Sequence, residues 1–318
     1  MRKKVSIIGA GNVGATLGQL LAIFEISDVV LYDIIQDMPQ GKALDISQML
    51  NIFNSDSKVI GTNDYKDIEG SDIVVITAGA ARKPGMSREE LLSFNAGIIK
   101  EVSNNIAKYC DSNKCVVIVV SNPLDAMTYL TYKVLSNYGF TKNRVMGMAG
   151  VLDSSRFVHF ISEKLNVSKN NINAFVLGSH GDTMVPSVKY TTVAGISLEN
   201  LLNPQDLDNL IQRTRKGGAE IVSLLKNSSA YYAPAASTFK MIKSIIFDKK
   251  EILPVSVYVD GEYGYKDIVI GLPVVLGKGG VEKVIEFNLT ENEKKELDIS
   301  ANKISELCKE LYNLKVLV

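Results

Sequence analysis

Three glycines near the start of the chain have the spacing of a phosphate-binding loop. The segment Gly9-Ala10-Gly11-Asn12-Val13-Gly14 follows a short apolar run and precedes a helical pattern. In such a loop the first glycine permits a tight turn, the second lets the backbone approach a pyrophosphate, and the third lets the helix pack closely against the strand. The start of the helix also offers free N–H groups and the positive end of its dipole to phosphates. The spacing therefore indicates a dinucleotide site.

An acidic residue at the end of the second apolar run indicates which dinucleotide is bound. Asp33 lies roughly 20 residues beyond the glycine loop, where a carboxylate can accept hydrogen bonds from a ribose diol. Its charge would repel a 2′-phosphate, so the pattern favours NAD over NADP. A glycine motif alone is a weak signal, and a tight strand–helix turn with an incidental acid is the alternative. The strand before the loop and the helix after it favour the cofactor.

The chain has only two histidines, so any histidine chemistry must use one of them. His159 falls inside a helical pattern and is expected to be packed or half-exposed. His180 stands in Leu177-Gly178-Ser179-His180-Gly181-Asp182, at the end of a strand-like run and among small residues, which suits a side chain presented to a cleft. On these residues alone, His180 could be a general acid/base or a polar surface side chain.

A carboxylate and a guanidinium stand three residues apart in Gly150-Val151-Leu152-Asp153-Ser154-Ser155-Arg156. At the start of a helix this spacing places Asp153 and Arg156 on one face. They could form a surface ion pair worth roughly 0–1 kcal/mol and without a chemical role. Alternatively, Asp153 orients a histidine while Arg156 binds a substrate carboxylate. The spacing does not decide between these interpretations.

A basic loop follows the fourth strand candidate, over residues 77–90. Gly79 and Gly85 flank a tip that carries Arg82 and Lys83, and a helix is predicted to begin just beyond it. The loop would lie at the carboxyl end of the sheet, where ligands bind in folds of this type. It could be a solvated basic loop, or a lid that brings cations onto an anionic substrate.

The order of predicted elements places these residues on an α/β fold. In the first half, apolar runs at 5–8, 29–32, 58–60, 72–77, 115–120 and 145–148 alternate with helical patterns at 12–24, 40–51, 89–109 and 125–137. This alternation predicts a Rossmann-type doubly wound parallel sheet. The second half predicts an α+β substrate domain, with helices at 152–165, 206–226, 233–247 and 291–314, strands at 173–178, 252–259 and 268–276, and antiparallel hairpins at two glycine-rich turns. We therefore expect an NAD-binding domain at 1–149 and a catalytic domain at 150–318.

Composition excludes several classes of partner. Of 318 residues, 35 are Lys or Arg and 35 are Asp or Glu, so no overall charge attracts nucleic acid or an anionic membrane. The apolar run at the N-terminus stops at Gly9, too early for a secretory signal, and no run approaches the roughly 18 apolar residues that a membrane span requires. Three cysteines, an odd number, indicate reduced thiols and a cytoplasmic location. No metal site is predicted, because Cys110 and Cys115 have the wrong spacing and no histidine nearby.

Taken together, these residues resemble the NAD-dependent malate and lactate dehydrogenase family, and the resemblance covers essentially the whole chain. Five segments look like family motifs and occur in family order: Ile7-Ile8-Gly9-Ala10-Gly11-Asn12-Val13-Gly14, Thr77-Ala78-Gly79, Val120-Ser121-Asn122-Pro123, Gly150-Val151-Leu152-Asp153-Ser154-Ser155-Arg156 and Gly178-Ser179-His180-Gly181-Asp182. Five ordered motifs are far more specific than any one of them. The chain is similar in particular to the lactate-dehydrogenase-like group of malate enzymes.

The resemblance implies a role for each candidate site residue. It makes His180 the general acid/base and Asp153 the group that stabilises its protonated form. Arg156 would bind the carboxylate of a 2-oxo acid through its bidentate fork, the geometry that arginine suits. Arg88 would polarise the substrate carbonyl from the lid. Asn122 would hydrogen-bond near the substrate and fix the nicotinamide side of the site.

Further implied contacts concern the cofactor and the choice of substrate. Val120 and Asn95 would lie near the cofactor, together with the glycine loop and Asp33. Arg82 would face the variable end of the substrate, where lactate enzymes carry glutamine and malate enzymes carry arginine. Arginine there implies a second carboxylate, and hence malate and oxaloacetate.

The function implied by the resemblance is the reversible NAD-dependent oxidation of L-malate to oxaloacetate, a reaction of the tricarboxylic acid cycle, in a homotetramer or homodimer. An L-lactate dehydrogenase, or a broader 2-hydroxy acid dehydrogenase, is the nearest alternative, and Arg82 argues against it. A non-catalytic Rossmann module that senses NAD(H) is a more distant one. His180, Asp153, Arg156 and Arg88 argue against that reading.

Overall fold

The computed structural model describes residues 2–80 and 88–317; of Arg88 and Glu89 it describes the backbone. Arg82 and the rest of 81–87 lie outside the described residues. The first half of the chain alternates strands and helices as predicted. The strands are β1 (Lys4–Ile8), β2 (Asp28–Tyr32), β3 (Val59–Thr62), β4 (Ile73–Ile76), β5 (Val116–Val119) and β6 (Val145–Gly147), and the helices are α1 (Asn12–Ile23), α2 (Met38–Leu50), α3 (Arg88–Tyr109) and α4 (Leu124–Ser136).

These six strands are parallel neighbours in the order β3-β2-β1-β4-β5-β6. Every residue of β4 and β5 is buried, as expected for continuous apolar strands with helices on both faces of the sheet. The strand order reverses between β1 and β4, so the loops that follow these two strands separate and leave a crevice at their carboxyl ends. The Rossmann prediction for this half is confirmed.

The second half contains the predicted helices and several short strands. Its helices are α5 (Gly150–Leu165), α6 (Pro204–Leu225), α7 (Tyr232–Ile246) and α8 (Glu291–Asn313), and its strands are β7 (Ile172–Asn173), β8 (Val176–Leu177), β9 (Val185–Pro186), β10 (Thr192–Val193), β11 (Ile196–Ser197), β12 (Glu251–Asp260), β13 (Lys266–Gly277) and β14 (Gly280–Val284). The single strand predicted at 173–178 is two short strands. β7 pairs with β10, whereas β8 pairs with β9.

The long hairpins of the second half extend the sheet of the first. β12, β13 and β14 pair antiparallel with one another, as the glycine-rich turns predict. β12 also pairs antiparallel with β6, so strands from both halves of the chain form one nine-stranded mixed sheet within the described residues. The boundary proposed between residues 149 and 150 consequently divides strands that belong to one continuous sheet.

Two apolar cores support these layers. The larger one surrounds the nine-stranded sheet, and the smaller one includes Phe157, Phe160 and Ile161 on the inner face of α5 and Leu210 of α6. Packing on both sides fixes the direction in which α5 presents its polar face. All three cysteines are buried and unpaired with one another by disulfide. No helix within residues 2–80 and 88–317 is long and apolar enough to cross a membrane.

Candidate active site

The glycine loop between β1 and α1 has the geometry that its sequence predicts. Gly9 adopts φ +107°, and a Cβ there would lie 2.7 Å from the backbone nitrogen of Ala78. A Cβ on Gly14 would lie 1.9 Å from the carbonyl oxygen of Gly9. A Cβ on Gly11 would meet no atom within 4 Å, and Gly11 is exposed. Gly9 and Gly14 therefore close the turn on its inner side, while Gly11 leaves room for a ligand on its outer side.

The first turn of α1 is open to a ligand. Gly11 is the N-cap of α1 and makes no side-chain capping hydrogen bond, and the next residue, Asn12, is exposed. Val13 is half-buried beside it. Uncapped N–H groups at a helix start favour an anion, so this end of α1 fits a pyrophosphate.

Asp33 lies directly against this loop. One carboxylate oxygen accepts a hydrogen bond from the backbone N–H of Ala10 at 2.8 Å, and the other accepts one from the N–H of Ile35 at 3.1 Å. Lys42 donates from Nζ to the carbonyl oxygen of Ala10 at 2.6 Å. The half-buried carboxylate of Asp33 is thus held at the end of β2, where it fits a ribose diol.

Asn95 connects the loops that follow β4 and β5. It is buried on α3, and its amide donates to the carbonyl oxygen of Asn122 at 2.6 Å and to that of Ala80 at 3.2 Å. The backbone N–H of Ala80 in turn donates to the side-chain oxygen of Asn95 at 2.8 Å. The side chain of Asn95 therefore positions the backbone around the crevice. Val120 and Asn122 lie at the end of β5, with Val120 half-buried and Asn122 exposed.

His180 and Asp153 meet across 27 residues of sequence. The imidazole Nδ1 lies 2.9 Å from a carboxylate oxygen of Asp153, whose side chain is 2% exposed. The His180 side chain is 17% exposed. Because Nδ1 is occupied, Nε2 is the ring nitrogen left for another partner, and it has no hydrogen bond within the described part of the chain. The structure thus provides the pairing that sequence spacing left undecided.

Arg156 completes this group. Its guanidinium donates to the second carboxylate oxygen of Asp153 at 3.0 Å, and its side chain is 13% exposed. Nε of Arg156 is buried without a hydrogen-bond partner in the described residues. Asp153 therefore bridges His180 and Arg156, which is more than an isolated surface ion pair. The spare donors of Arg156 suit an incoming carboxylate.

The pKa of His180 is raised above its usual value by a balance of opposing effects. Burial of the imidazole, the largest effect, lowers this pKa, whereas the charge and hydrogen bond of Asp153 raise it. Arg156 lowers the pKa and Asp125 raises it. The net direction favours an imidazolium that can donate a proton near neutral pH.

Sequence reasoning missed the groups that fix the His180 loop. The backbone N–H of His180 donates to Asp125 at 2.9 Å, and that of Ser179 donates to the hydroxyl of Ser300 at 2.6 Å. Gly178 forms a backbone bridge with Gly271 of β13. The available signal was the position of Asp125 just after the Ser121-Asn122-Pro123 segment, but an acid in a first helical turn is usually explained by the helix dipole alone.

The side chains of two predicted residues lie outside the described part of the structure. Arg88 is the first residue of α3, with its backbone described, and Arg82 lies outside the described residues. The second histidine has a different partner: His159 is 45% exposed on α5, and its Nε2 lies 3.6 Å from a carboxylate oxygen of Glu163. This agrees with the half-exposed position predicted for it.

The two halves of the chain match two domains of one protein family. Residues 3–147 match the family model described as lactate/malate dehydrogenase, NAD binding domain. Residues 150–314 match the model described as lactate/malate dehydrogenase, alpha/beta C-terminal domain. The two matches together span nearly the whole chain.

Individual relatives agree with this assignment. Malate dehydrogenase from Chloroherpeton thalassium is 50% identical over 312 residues, which are 98% of this chain and 99% of the relative. The crystal structure of malate dehydrogenase from Cryptosporidium parvum is 42% identical, with a TM-score of 0.94 over 98% of this chain and 100% of that one. The lactate dehydrogenase of Cryptosporidium parvum, complexed with lactic acid and nicotinamide adenine dinucleotide, is also 42% identical, with a TM-score of 0.93 over 98% and 99% of the two chains. Overall similarity to these two structures therefore does not separate malate from lactate.

Proposed function

The chain belongs to the lactate/malate dehydrogenase family, and from this premise we propose that it interconverts L-malate and oxaloacetate with NAD as the cofactor. The observation that carries the dehydrogenase chemistry is the bridge from His180 through Asp153 to Arg156, with distances of 2.9 and 3.0 Å. This bridge joins a proton donor to a carboxylate-binding group. The choice of malate is supported by the 50% identity to a malate dehydrogenase over nearly the whole chain. The reaction is one step of the tricarboxylic acid cycle.

The residues around the crevice at the carboxyl ends of β1 and β4 fit the cofactor. Gly9, Ala10, Gly11, Asn12, Val13 and Gly14 would surround the pyrophosphate, Asp33 would bind the ribose, and Asn95, Val120 and Asn122 would border the nicotinamide end. The open outer side of Gly11 and the uncapped start of α1 support this placement. When bound, NADH supplies a hydride to the substrate carbonyl carbon.

His180 carries the proton that accompanies the hydride. With Nδ1 held by Asp153, Nε2 donates a proton to the carbonyl oxygen of oxaloacetate, and it removes the hydroxyl proton of malate in the reverse direction. The carboxylate of Asp153 keeps the ring oriented and stabilises the imidazolium. Proton transfer therefore requires His180 to be protonated for reduction and neutral for oxidation.

Three arginines would bind the negative charge of the substrate. Arg156 holds the carboxylate next to the reacting carbon, and its Nε, which has no partner among the described residues, supports this role. Arg88 polarises the carbonyl, and Arg82 pairs with the distal carboxylate that distinguishes oxaloacetate from pyruvate. In a site that excludes water, these cations act on the developing alkoxide charge more strongly than they would in bulk solvent.

Lactate dehydrogenase activity is the second candidate, because a relative solved with lactic acid is as similar in fold as the malate enzymes are. Arg82 disfavours it: closure around pyruvate would bury a guanidinium beside a methyl group and leave the charge unpaired. A non-catalytic NAD(H) sensor is disfavoured by the Asp153 bridge, since cofactor binding alone does not need it.

We also propose that the chain forms a homotetramer or homodimer in the cytoplasm. Large apolar side chains are exposed around α2 and α7, among them Leu44, Ile52, Phe53 and Tyr232, and such surfaces favour association. Sedimentation velocity measures the assembly; a monomer at micromolar concentration would exclude it.

The proposed location in the cytoplasm is supported by the three cysteines, which are buried and form no disulfide, as is usual in a reducing compartment.

The substrate is tested by following NADH absorbance with oxaloacetate and pyruvate side by side. We expect kcat/KM for oxaloacetate to exceed that for pyruvate by at least about 10²-fold, since one unpaired buried charge costs roughly 3–5 kcal/mol. Arg82→Gln should shift this ratio towards pyruvate by at least about 10²-fold. Arg2→Gln, at the start of the chain, is the matched control and should leave this ratio unchanged. A ratio near one in the unmodified protein would contradict the malate assignment.

A further inference from the structure

A second buried carboxylate, in addition to that of Asp153, contacts the backbone of His180. Asp125 is the second residue of α4 and is 5% exposed. One of its oxygens accepts the backbone N–H of His180 at 2.9 Å, and the other accepts the hydroxyl of Ser256, on β12, at 2.9 Å. Within the described residues no lysine or arginine forms an ion pair with it. Burying an unpaired carboxylate is costly, so its presence requires an explanation.

The surroundings of Asp125 identify the positive charge that it faces. Burial, the largest effect, raises the pKa of Asp125 to about 6, against the lowering effects of the His180 N–H, Ser256 and the charge of His180. Asp153 on α5 acts in the raising direction. Cys308 on α8 is a buried thiol whose own pKa is raised, first by burial and then by Asp125. The imidazole of His180 is thus the nearby group that can become cationic, and Asp125 favours its protonated form.

We propose that Asp125 is a positioning residue for proton transfer: it fixes the backbone of His180 while Asp153 fixes the ring, and its charge stabilises the imidazolium. The two carboxylates thereby hold His180 from α4 and from α5. The catalytic consequence rests on the proposed function, in which His180 is the acid/base. The electrostatic part does not.

The sign of the effect follows from these charges. Asp125 is ionised above about pH 6 and then raises the pKa of His180. Removing its charge lowers the pH at which His180 loses its proton. Reduction of oxaloacetate needs protonated His180. As the pH is raised, kcat/KM for oxaloacetate should therefore begin to fall at a lower pH in the variant than in the unmodified protein. At pH values well below the pKa of His180, the two proteins should differ little.

The stability of the folded protein should not fall together with its activity. The pKa of Asp125 is raised by folding from 3.8 to about 6, so the folded state favours its protonated form. The stability from that form is complete below about pH 4 and is lost as the pH rises through about 6. Asparagine keeps the shape, can accept from His180 and donate to Ser256, and carries no charge. Asp125→Asn should therefore leave the melting temperature at pH 8 unchanged or higher.

The direct test is an NMR titration of histidine imidazoles in the full-length protein. The chain has two histidines, so histidine-selective labelling gives two resonances, and His159→Gln assigns them. Asp125→Asn should move the titration of His180 to lower pH and leave that of His159 unchanged. Thr131→Val is the matched control, because Thr131 is buried on the same helix and, among the described residues, its hydroxyl bonds only to Met127. It should move neither titration.

Ser256→Ala provides a second route if Asp125→Asn folds poorly. It removes one hydrogen bond that lowers the pKa of Asp125, so Asp125 loses its charge over a wider pH range. The His180 titration should then move in the same direction by a smaller amount. An unchanged His180 titration in the folded variants would overturn the proposal.

Kinetics then separate this proposal from the function on which it rests. At pH 8, Asp125→Asn should lower kcat/KM for oxaloacetate about tenfold or more, with an effect of less than about twofold at pH 6. If the NMR titration shifts but the kinetic profile does not, Asp125 tunes His180 as proposed and His180 is not the acid/base. A uniform loss at every pH without an NMR shift would make Asp125 merely structural.

Discussion

At the scale of residues, hydrogen bonds connect the cofactor crevice to the proton-transfer group. Asn95 holds the backbone of Asn122, and three residues later Asp125 holds the backbone of His180. The ring of His180 then binds Asp153, which binds Arg156. Because each of these side chains is tied on at least one side, this group of described residues is formed before a substrate arrives. Preorganised groups of this kind are what stabilise a transition state effectively.

Cofactor choice is a residue-scale property of Asp33. Replacing it with serine removes a negative charge that would face a 2′-phosphate. We expect Asp33→Ser to reduce the preference for NADH over NADPH by at least about tenfold, since like charges in contact cost several kcal/mol. The measurement compares kcat/KM for the two cofactors at saturating oxaloacetate.

Asp28→Ser is the matched control for this change. Asp28 lies at the other end of the same strand, β2, where its side chain accepts a backbone N–H from Lys58. It should leave the cofactor ratio unaltered. Equal use of NADH and NADPH by the unmodified protein would show that Asp33 does not discriminate between them.

At the scale of elements, the glycine loop separates folding from binding. A Cβ on Gly14 would overlap the carbonyl oxygen of Gly9, so Gly14→Ala forces α1 away from the strand. We expect a loss of about 1–3 kcal/mol or more in the free energy of unfolding, measured in urea without cofactor, from this overpacking. Gly11→Ala meets no protein atom and should keep that stability while weakening NADH binding.

Gly41→Ala serves as the control for these two variants. Gly41 is exposed on α2, and a Cβ there also meets no atom within 4 Å. Gly41→Ala should not lower the unfolding free energy and should not change the affinity for NADH. If Gly11→Ala bound NADH normally, the pyrophosphate would not lie against this loop.

Much of the element order was predictable from sequence, for physical reasons. Strands such as β4 and β5 are continuous apolar runs, which few other structures accommodate, and the predicted bounds of the long helices lie within two residues of those observed. The pairing of β12 with β6 was not predictable, because an apolar strand such as β12 carries no mark of that neighbour. Two-residue strands such as β9 and β11 are too short to show any periodicity.

The candidate site shows the same division. Asp153 and Arg156 could be placed on one face because helical spacing is local. Their meeting with His180 depends on the path through β8, which local patterns do not encode. Asp125 was missed for the same reason, since its two partners are 55 and 131 residues away. The resemblance to a family supplied the role of His180, which the residues alone left open.

At the scale of the whole molecule, one sheet carries both halves of the proposed chemistry. The cofactor loops lie on the parallel strands, and α5 and the His180 loop pack beside β12 and β13. Since β6 and β12 are hydrogen-bonded neighbours within the sheet, the two halves are fixed relative to one another where these strands pair. This arrangement predicts that the proton-transfer group can be disabled without disturbing the cofactor site.

His180→Asn tests this central claim most directly. We predict that NADH binding, measured by fluorescence titration, stays nearly unchanged, while kcat for oxaloacetate reduction falls by roughly 10²–10⁴-fold, as expected for loss of a positioned acid. His159→Asn, which alters the half-exposed second histidine, should retain both properties. Near-normal turnover in His180→Asn, with the histidine at 159 intact, would remove His180 from the mechanism and contradict the account.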